Sequence, residues 1–150
     1  MPAFFPLDIP HVEAALRDAH SHNSRARSDA ALGLGAATGE DRAPAIRELV
    51  RLLEDPFLYV RYNAALSLGE LLAGQESPAE AESLFLLLED PAPLVRQAAV
   101  VAIGALGRAG GPRAFEPLLK ALKSANADVR FQAALSLAEA APEVAVDPLI

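Results

Sequence analysis

Cysteine and tryptophan are absent from the 150 residues, and only two lysines, Lys120 and Lys123, accompany the arginines. Without thiols there is no disulfide framework and no thiolate chemistry, a usage that fits a reducing compartment and makes the cytoplasm the expected location. Aromatic residues make up 5% of the chain, so small and aliphatic side chains must fill its core. Positive charge is scarce too. Thirteen basic against 20 acidic residues leave a net charge of -7, which disfavours steering toward phosphates and argues against nucleic acid as a partner. No apolar run is long enough to span a bilayer, and Met1-Pro2-Ala3-Phe4-Phe5 lacks the basic stretch and apolar core of a secretory signal. No membrane association is expected.

What is present is aliphatic, and it recurs. Asp55-Pro56-Phe57-Leu58-Tyr59-Val60-Arg61-Tyr62-Asn63-Ala64-Ala65-Leu66-Ser67-Leu68-Gly69 registers without a gap on the stretch from Asp90 to Gly104. A third copy runs from Asn126 to Ala138, and a degenerate first copy from Ala26 to Gly35. The arginines of the four copies, Arg27, Arg61, Arg96 and Arg130, are spaced 34, 35 and 34 residues apart. Upstream of the later copies lies a second apolar pattern with helical spacing: Ile46, Leu49, Leu52 and Leu53, then Leu84, Leu87 and Leu88, then Leu118, Leu119 and Leu122. Each repeat therefore holds two amphipathic helices, A and B. The first A helix is expected from about Ile9 to Ala19, with Val12, Ala15, Leu16 and Ala19 on one face.

Turn chemistry agrees with this division. Asp55-Pro56 and Asp90-Pro91 set a capping carboxylate before a proline suited to the first turn of a B helix. Paired alanines at 30–31, 64–65 and 133–134, with 98–99 offset by one, supply small side chains for close helix packing. Gly33-Leu34-Gly35 falls within a B helix and reads as a packing element, not a phosphate loop. The expected fold is all-α, an α-solenoid (α-α superhelix) of about four hairpins in one domain of roughly two-thirds buried surface. Its repeats span approximately 8–38, 40–74, 78–108 and 111–141. Val146-Asp147-Pro148-Leu149-Ile150 matches Phe115-Glu116-Pro117-Leu118-Leu119, so residues 143–150 read as the start of a fifth repeat. The last B helix then needs cover, from further repeats, from a partner, or from homotypic contact through its uncapped C-terminal edge.

The succession Asp-Pro, Val-Arg, Ala-Ala, Leu-Gly resembles the short HEAT-like repeat of the phycobilisome-lyase type over nearly the whole chain. A tetratricopeptide array has a similar period, but its Trp, Leu-Gly, Tyr and Phe signature is missing. The first repeat departs from the pattern, with His22-Asn23 where Asp-Pro is expected, as befits a terminal cap. The resemblance implies that Arg27, Arg61, Arg96 and Arg130 pair with neighbouring acids, Asp55, Asp90 or Asp128, in a structural ladder. The alternative, an anion-binding stripe, sits poorly with the acidic balance. It also implies that B helices line the concave side, where partners bind.

Catalytic constellations are incomplete. His11, His20 and His22 lack a helical i, i+4 pairing and read as solvated loop residues, so no metal is expected. No His-Glu dipeptide occurs, which disfavours the di-iron chemistry of HEAT-like hydroxylases. Ser67 and Ser136 have no histidine in their pattern to act as base. No cofactor is expected. Outward B-helix positions are the better candidates: Tyr62, Gln97 and Phe131 in one row, Asp29, Asn63, Ala98 and Gln132 in the next, then Ser67 and Ser136, then Glu70 and Glu139. Tyr62 and Phe131 are the leading contact residues because aromatics dominate interface energetics, although burial between repeats would explain them equally. The expected function is a non-catalytic protein-interaction scaffold or adaptor. The alternatives are an enzyme-accessory or lyase-like protein binding a small chromophore, and, less favoured by the charge, DNA binding of the HEAT-like glycosylase kind.

Overall fold

A computed structural model of the chain describes residues 12–73, 79–107 and 116–140. The expected fifth repeat start at 143–150 and the first eleven residues lie outside them. Among the described residues the elements are α1 (Val12–Asp18), α2 (Ser24–Leu34), α3 (Arg42–Leu52), α4 (Leu58–Leu72), α5 (Ala81–Leu86), α6 (Pro93–Gly107), α7 (Glu116–Ala121) and α8 (Ala127–Ala140). Single 3-10 turns, Gly39–Asp41 and Leu87–Glu89, lead into α3 and extend α5. The odd helices form an A layer and the even ones a B layer. Each A helix packs on the B helix that follows it, and the B helices stack in chain order, α2 on α4, α4 on α6 and α6 on α8.

The periodicities account for this arrangement. In α3 the buried residues Ala45, Ile46, Leu49 and Leu52 occupy one face, while Arg47 and Arg51 face outward. In α4, Val60, Ala64, Leu68 and Leu72 point into the core. Positions equivalent to Ala64 are alanine in every B helix, Ala30, Ala99 and Ala133, all buried. Between them stand Leu34, Leu68, Ile103 and Leu137. Full burial of such an aliphatic side chain contributes about 1.5–3 kcal/mol.

Small residues set the spacing within the B layer. A Cβ added to Gly69 would lie 2.7 Å from the Cα of Ala102, and one added to Gly35 would lie 2.8 Å from Ser67 Oγ. Adjacent B helices thus approach almost to backbone contact. The A helices meet far less, α1 touching α3 at only a few positions, because leucines stand between the layers. The B layer is thus the more closely packed of the two.

The structure corrects three local expectations. The Asp-Pro dipeptides precede the helices instead of capping them: α4 begins at Leu58 and α6 at Pro93. Asp55 Oδ1 accepts from the Phe57 N–H at 3.0 Å, and Asp90 Oδ1 from the Ala92 N–H at 2.9 Å, each closing a turn ahead of its helix. Both carboxylates are held there by an arginine of the preceding repeat. The true N-cap by side chain is Asn23, whose Oδ1 accepts from the Arg25 and Ala26 N–H groups. Ser67, expected outward, is 4% exposed against Gly35. Ala134, expected in the core, is exposed, whereas its equivalents Ala31, Ala65 and Val100 are buried under the next B helix.

Candidate functional site

Two sets of residues recur through the B layer, one joining the repeats and one facing outward. The joining set is built on the arginines. Nη1 of Arg27, Arg61, Arg96 and Arg130 donates to the carbonyl six residues upstream, that of Ser21, Asp55, Asp90 and Ser124, at 2.9, 2.9, 2.8 and 2.7 Å. The other side of the guanidinium reaches forward. Arg27 Nε donates to Asp55 Oδ2 at 2.8 Å, Arg61 Nε to Asp90 Oδ2 at 2.9 Å, and Arg96 Nε to Asp128 Oδ2 at 3.0 Å. The first two pairs are two-pronged, with Nη2 to Oδ1 bonds of 3.2 and 3.1 Å. Arg130 makes no carboxylate pair among the described residues.

Burial and charge shape these pairs. The hydrogen bond to Asp55 raises Arg27 above its ordinary value, against its desolvation and with help from the Asp55 charge. Burial pushes the Asp128 carboxyl up, but the hydrogen bond and charge of Arg96, with backbone donors, more than offset this and hold it below the usual carboxylate value. Arg27 also lies over the ring of Phe57, 5.5 Å from its centroid. Arginines engaged this way hold the array together and leave little for an external anion.

The outward set differs from the sequence-based candidates in membership. Phe131 is 66% exposed, Gln97, Glu70 and Glu139 are exposed, Gln132 is half-buried, and Tyr62 is half-buried against the core. Asn63 turns toward the preceding repeat, its Nδ2 donating to Ser28 Oγ at 2.7 Å and to the Ser28 carbonyl at 3.3 Å. Ala98 is buried. Sequence reasoning passed over the row five residues after each arginine: Leu32, Leu66, Val101 and Leu135. Leu32 is 54%, Val101 40% and Leu135 41% exposed, and Leu66 half-buried. The signal was available, because each stands one helical turn beyond Ser28, Tyr62, Gln97 or Phe131 and shares its face.

Two shallow clefts open near the start of α4, separated by the exposed Phe57 and Tyr59. One, of about 430 Å³, lies toward Pro91 and Ala92. The other, of about 370 Å³, lies between α2 and α4 and brings Phe57, Tyr59 and Tyr62 together with Arg25, Ser28 and Asp29. Elsewhere, His20 meets Glu48 on α3 at 3.1 Å. No group of three or more metal-binding side chains occurs among the described residues. No helix among them is long and apolar enough to cross a membrane.

These features define an α-solenoid whose two-helix repeats are stapled by arginine and aspartate and present one helical layer outward. The chain belongs to the HEAT repeat family, whose repeat profile matches residues 9–104 and 81–150. Comparison with curated protein sequences gives no match. Among solved structures, the chain is similar to an engineered protein, with TM-score 0.64 and 24% identity over 91% of this chain and 65% of that one. It is similar to YibA of Escherichia coli, with TM-score 0.68 and 24% identity over 84% of this chain and 46% of that one. It is also similar to the complex of CpcE and CpcF of phycocyanin lyase from Nostoc sp., with TM-score 0.57 and 20% identity over 92% of this chain and 68% of that one. The chain thus spans less than two thirds of the first two, and the likeness is one of fold.

Proposed function

We propose that the protein is a non-catalytic scaffold that binds another protein across the outer face of its B layer. The observation that carries this reading is the apolar row through all four repeats, with Leu32, Val101 and Leu135 exposed and Leu66 half-buried, flanked by Tyr62 and Phe131. Apolar side chains aligned in this way cost solubility unless a partner covers them, and interfaces draw most of their energy from such central anchors. Crosslinking followed by affinity capture from the native host tests the reading. Wild type should retain a partner that Phe131→Ala with Val101→Asp releases, both sites being exposed enough to leave the fold intact. Retention by the double variant, or no partner at all, would overturn it.

The cleft between α2 and α4 favours a second reading, in which a small planar ligand lies against Phe57, Tyr59 and Tyr62. Its volume of about 370 Å³ falls at the lower end for small-molecule sites. A melting-temperature screen with bilins and other conjugated cofactors tests it, since a bound ligand raises the midpoint. No shift at any saturating concentration excludes it.

A further inference from the structure

Charge in this chain is sorted by layer. Beyond the ladder arginines, the B-helix stretches 28–36, 62–73, 97–107 and 131–140 contain no lysine, arginine or histidine, yet carry Asp29, Glu70 and Glu139. All three carboxylates are exposed, and none is paired with a cation among the described residues. Among the described residues, every basic side chain lies on an A helix, in a connection, or in the first turn of a B helix. Beyond the first turns, which carry Arg25 and the ladder arginines, the charge beside the apolar row of the described B helices is negative.

We infer that this face takes a cationic amphipathic helix lying across the B helices, an inference that rests on the protein-binding reading above. Spacing supports a helix. Packed helices lie roughly 8–10 Å apart, so successive members of the row recur at about that interval. Two turns of an α-helix, seven residues, advance about 10.5 Å and return a side chain to the same face. A β-strand returns side chains to one face every second residue, about 6.7 Å, and falls out of step. A guest with apolar residues every seventh position and lysine or arginine on its flanks would meet the row and Glu70 and Glu139 together.

Fluorescence anisotropy with the full 150-residue chain tests this directly. The probe is a labelled 21-residue helical peptide with leucine at seven-residue spacing and lysine on both flanks. Its twins carry glutamate for lysine, a scrambled order, or a polyproline backbone. The lysine peptide should bind at least tenfold more tightly than the other three, and more weakly as salt rises. Val101→Asp with Leu135→Asp should weaken it at least tenfold, and Glu70→Lys with Glu139→Lys should reverse the preference between lysine and glutamate peptides, circular dichroism showing all variants folded. Equal binding of the glutamate peptide, no binding of the lysine peptide, or an unchanged preference after the charge swap overturns the inference. If another peptide binds and is lost in the Val101→Asp, Leu135→Asp variant, the helix is refuted while the protein-binding reading stands. If a partner captured from the host is indifferent to those two substitutions, both fail.

Discussion

Gly69 and Gly104 occupy equivalent positions, and their surroundings separate what alanine would do at each. At Gly69 the new methyl meets the backbone of Ala102 at 2.7 Å, so the two helices must part. Gly69→Ala should cost about 1–3 kcal/mol in urea denaturation. At Gly104 the nearest atom is Ser136 Cβ at 3.3 Å, so the helices need part by only a few tenths of an ångström. Gly104→Ala should change stability by less than about 1 kcal/mol, helped by alanine's better helix propensity. Asp90→Asn isolates the ionic part of a rung, since the amide oxygen can still accept from the Ala92 N–H while the charge facing Arg61 is lost. The rung is largely buried, so a loss of roughly 2 kcal/mol is expected by the same measurement. Residue types in register made the arginines and acids visible from sequence. The direction of Asn63 was not, because an amide at the edge of the outer face can satisfy itself sideways on Ser28 as readily as in water.

The hairpins themselves were legible because apolar spacing of three and four residues allows few other structures, and the period repeats it. Where the helices begin was less so. Asp-Pro satisfies the rule for a cap, yet the carboxylate is shared with an arginine 28 or 29 residues upstream, and sequence alone does not show which demand prevails. The exposed leucine row was missed for a related reason: a leucine in a HEAT helix reads as core until its neighbours are placed. Elements also differ in how they are flanked. α4 and α6 each have a B helix on both sides, whereas on α8 Ala134, equivalent to the buried Val100, is exposed. Hydrogen exchange read by mass spectrometry should therefore find the slowest amides in α4 and α6 and faster exchange along α8. Uniform protection over the three helices would show that the array opens only as a whole.

For the whole molecule, repeat proteins sum local stabilities and nearest-neighbour interfaces, so weakening one rung is felt along the stack. Acid provides a way to do this. Asp128 in the folded protein sits below its ordinary carboxylate value, so the unfolded chain binds the proton more readily. Its contribution is complete above the usual carboxylate range and disappears as pH falls through the folded value. Urea midpoints measured from neutral pH downward should fall across that interval, and Asp128→Asn should lower stability at neutral pH while flattening its part of the acid loss. An acid limb identical in wild type and variant would show that this rung does not govern it.

The ladder also has an arrow. Each arginine grips its own turn behind and an aspartate of the following repeat ahead, so repeats join in one order only, as links with a hook at one end and an eye at the other. At the first described repeat the eye is altered: Ser21 stands at the place of Asp55 and Asp90, and Arg25 at the place of Asp128. The same chemistry that holds the repeats in file makes their order directional: a repeat turned end for end in the stack would bring arginine to arginine and aspartate to aspartate, where like charges repel.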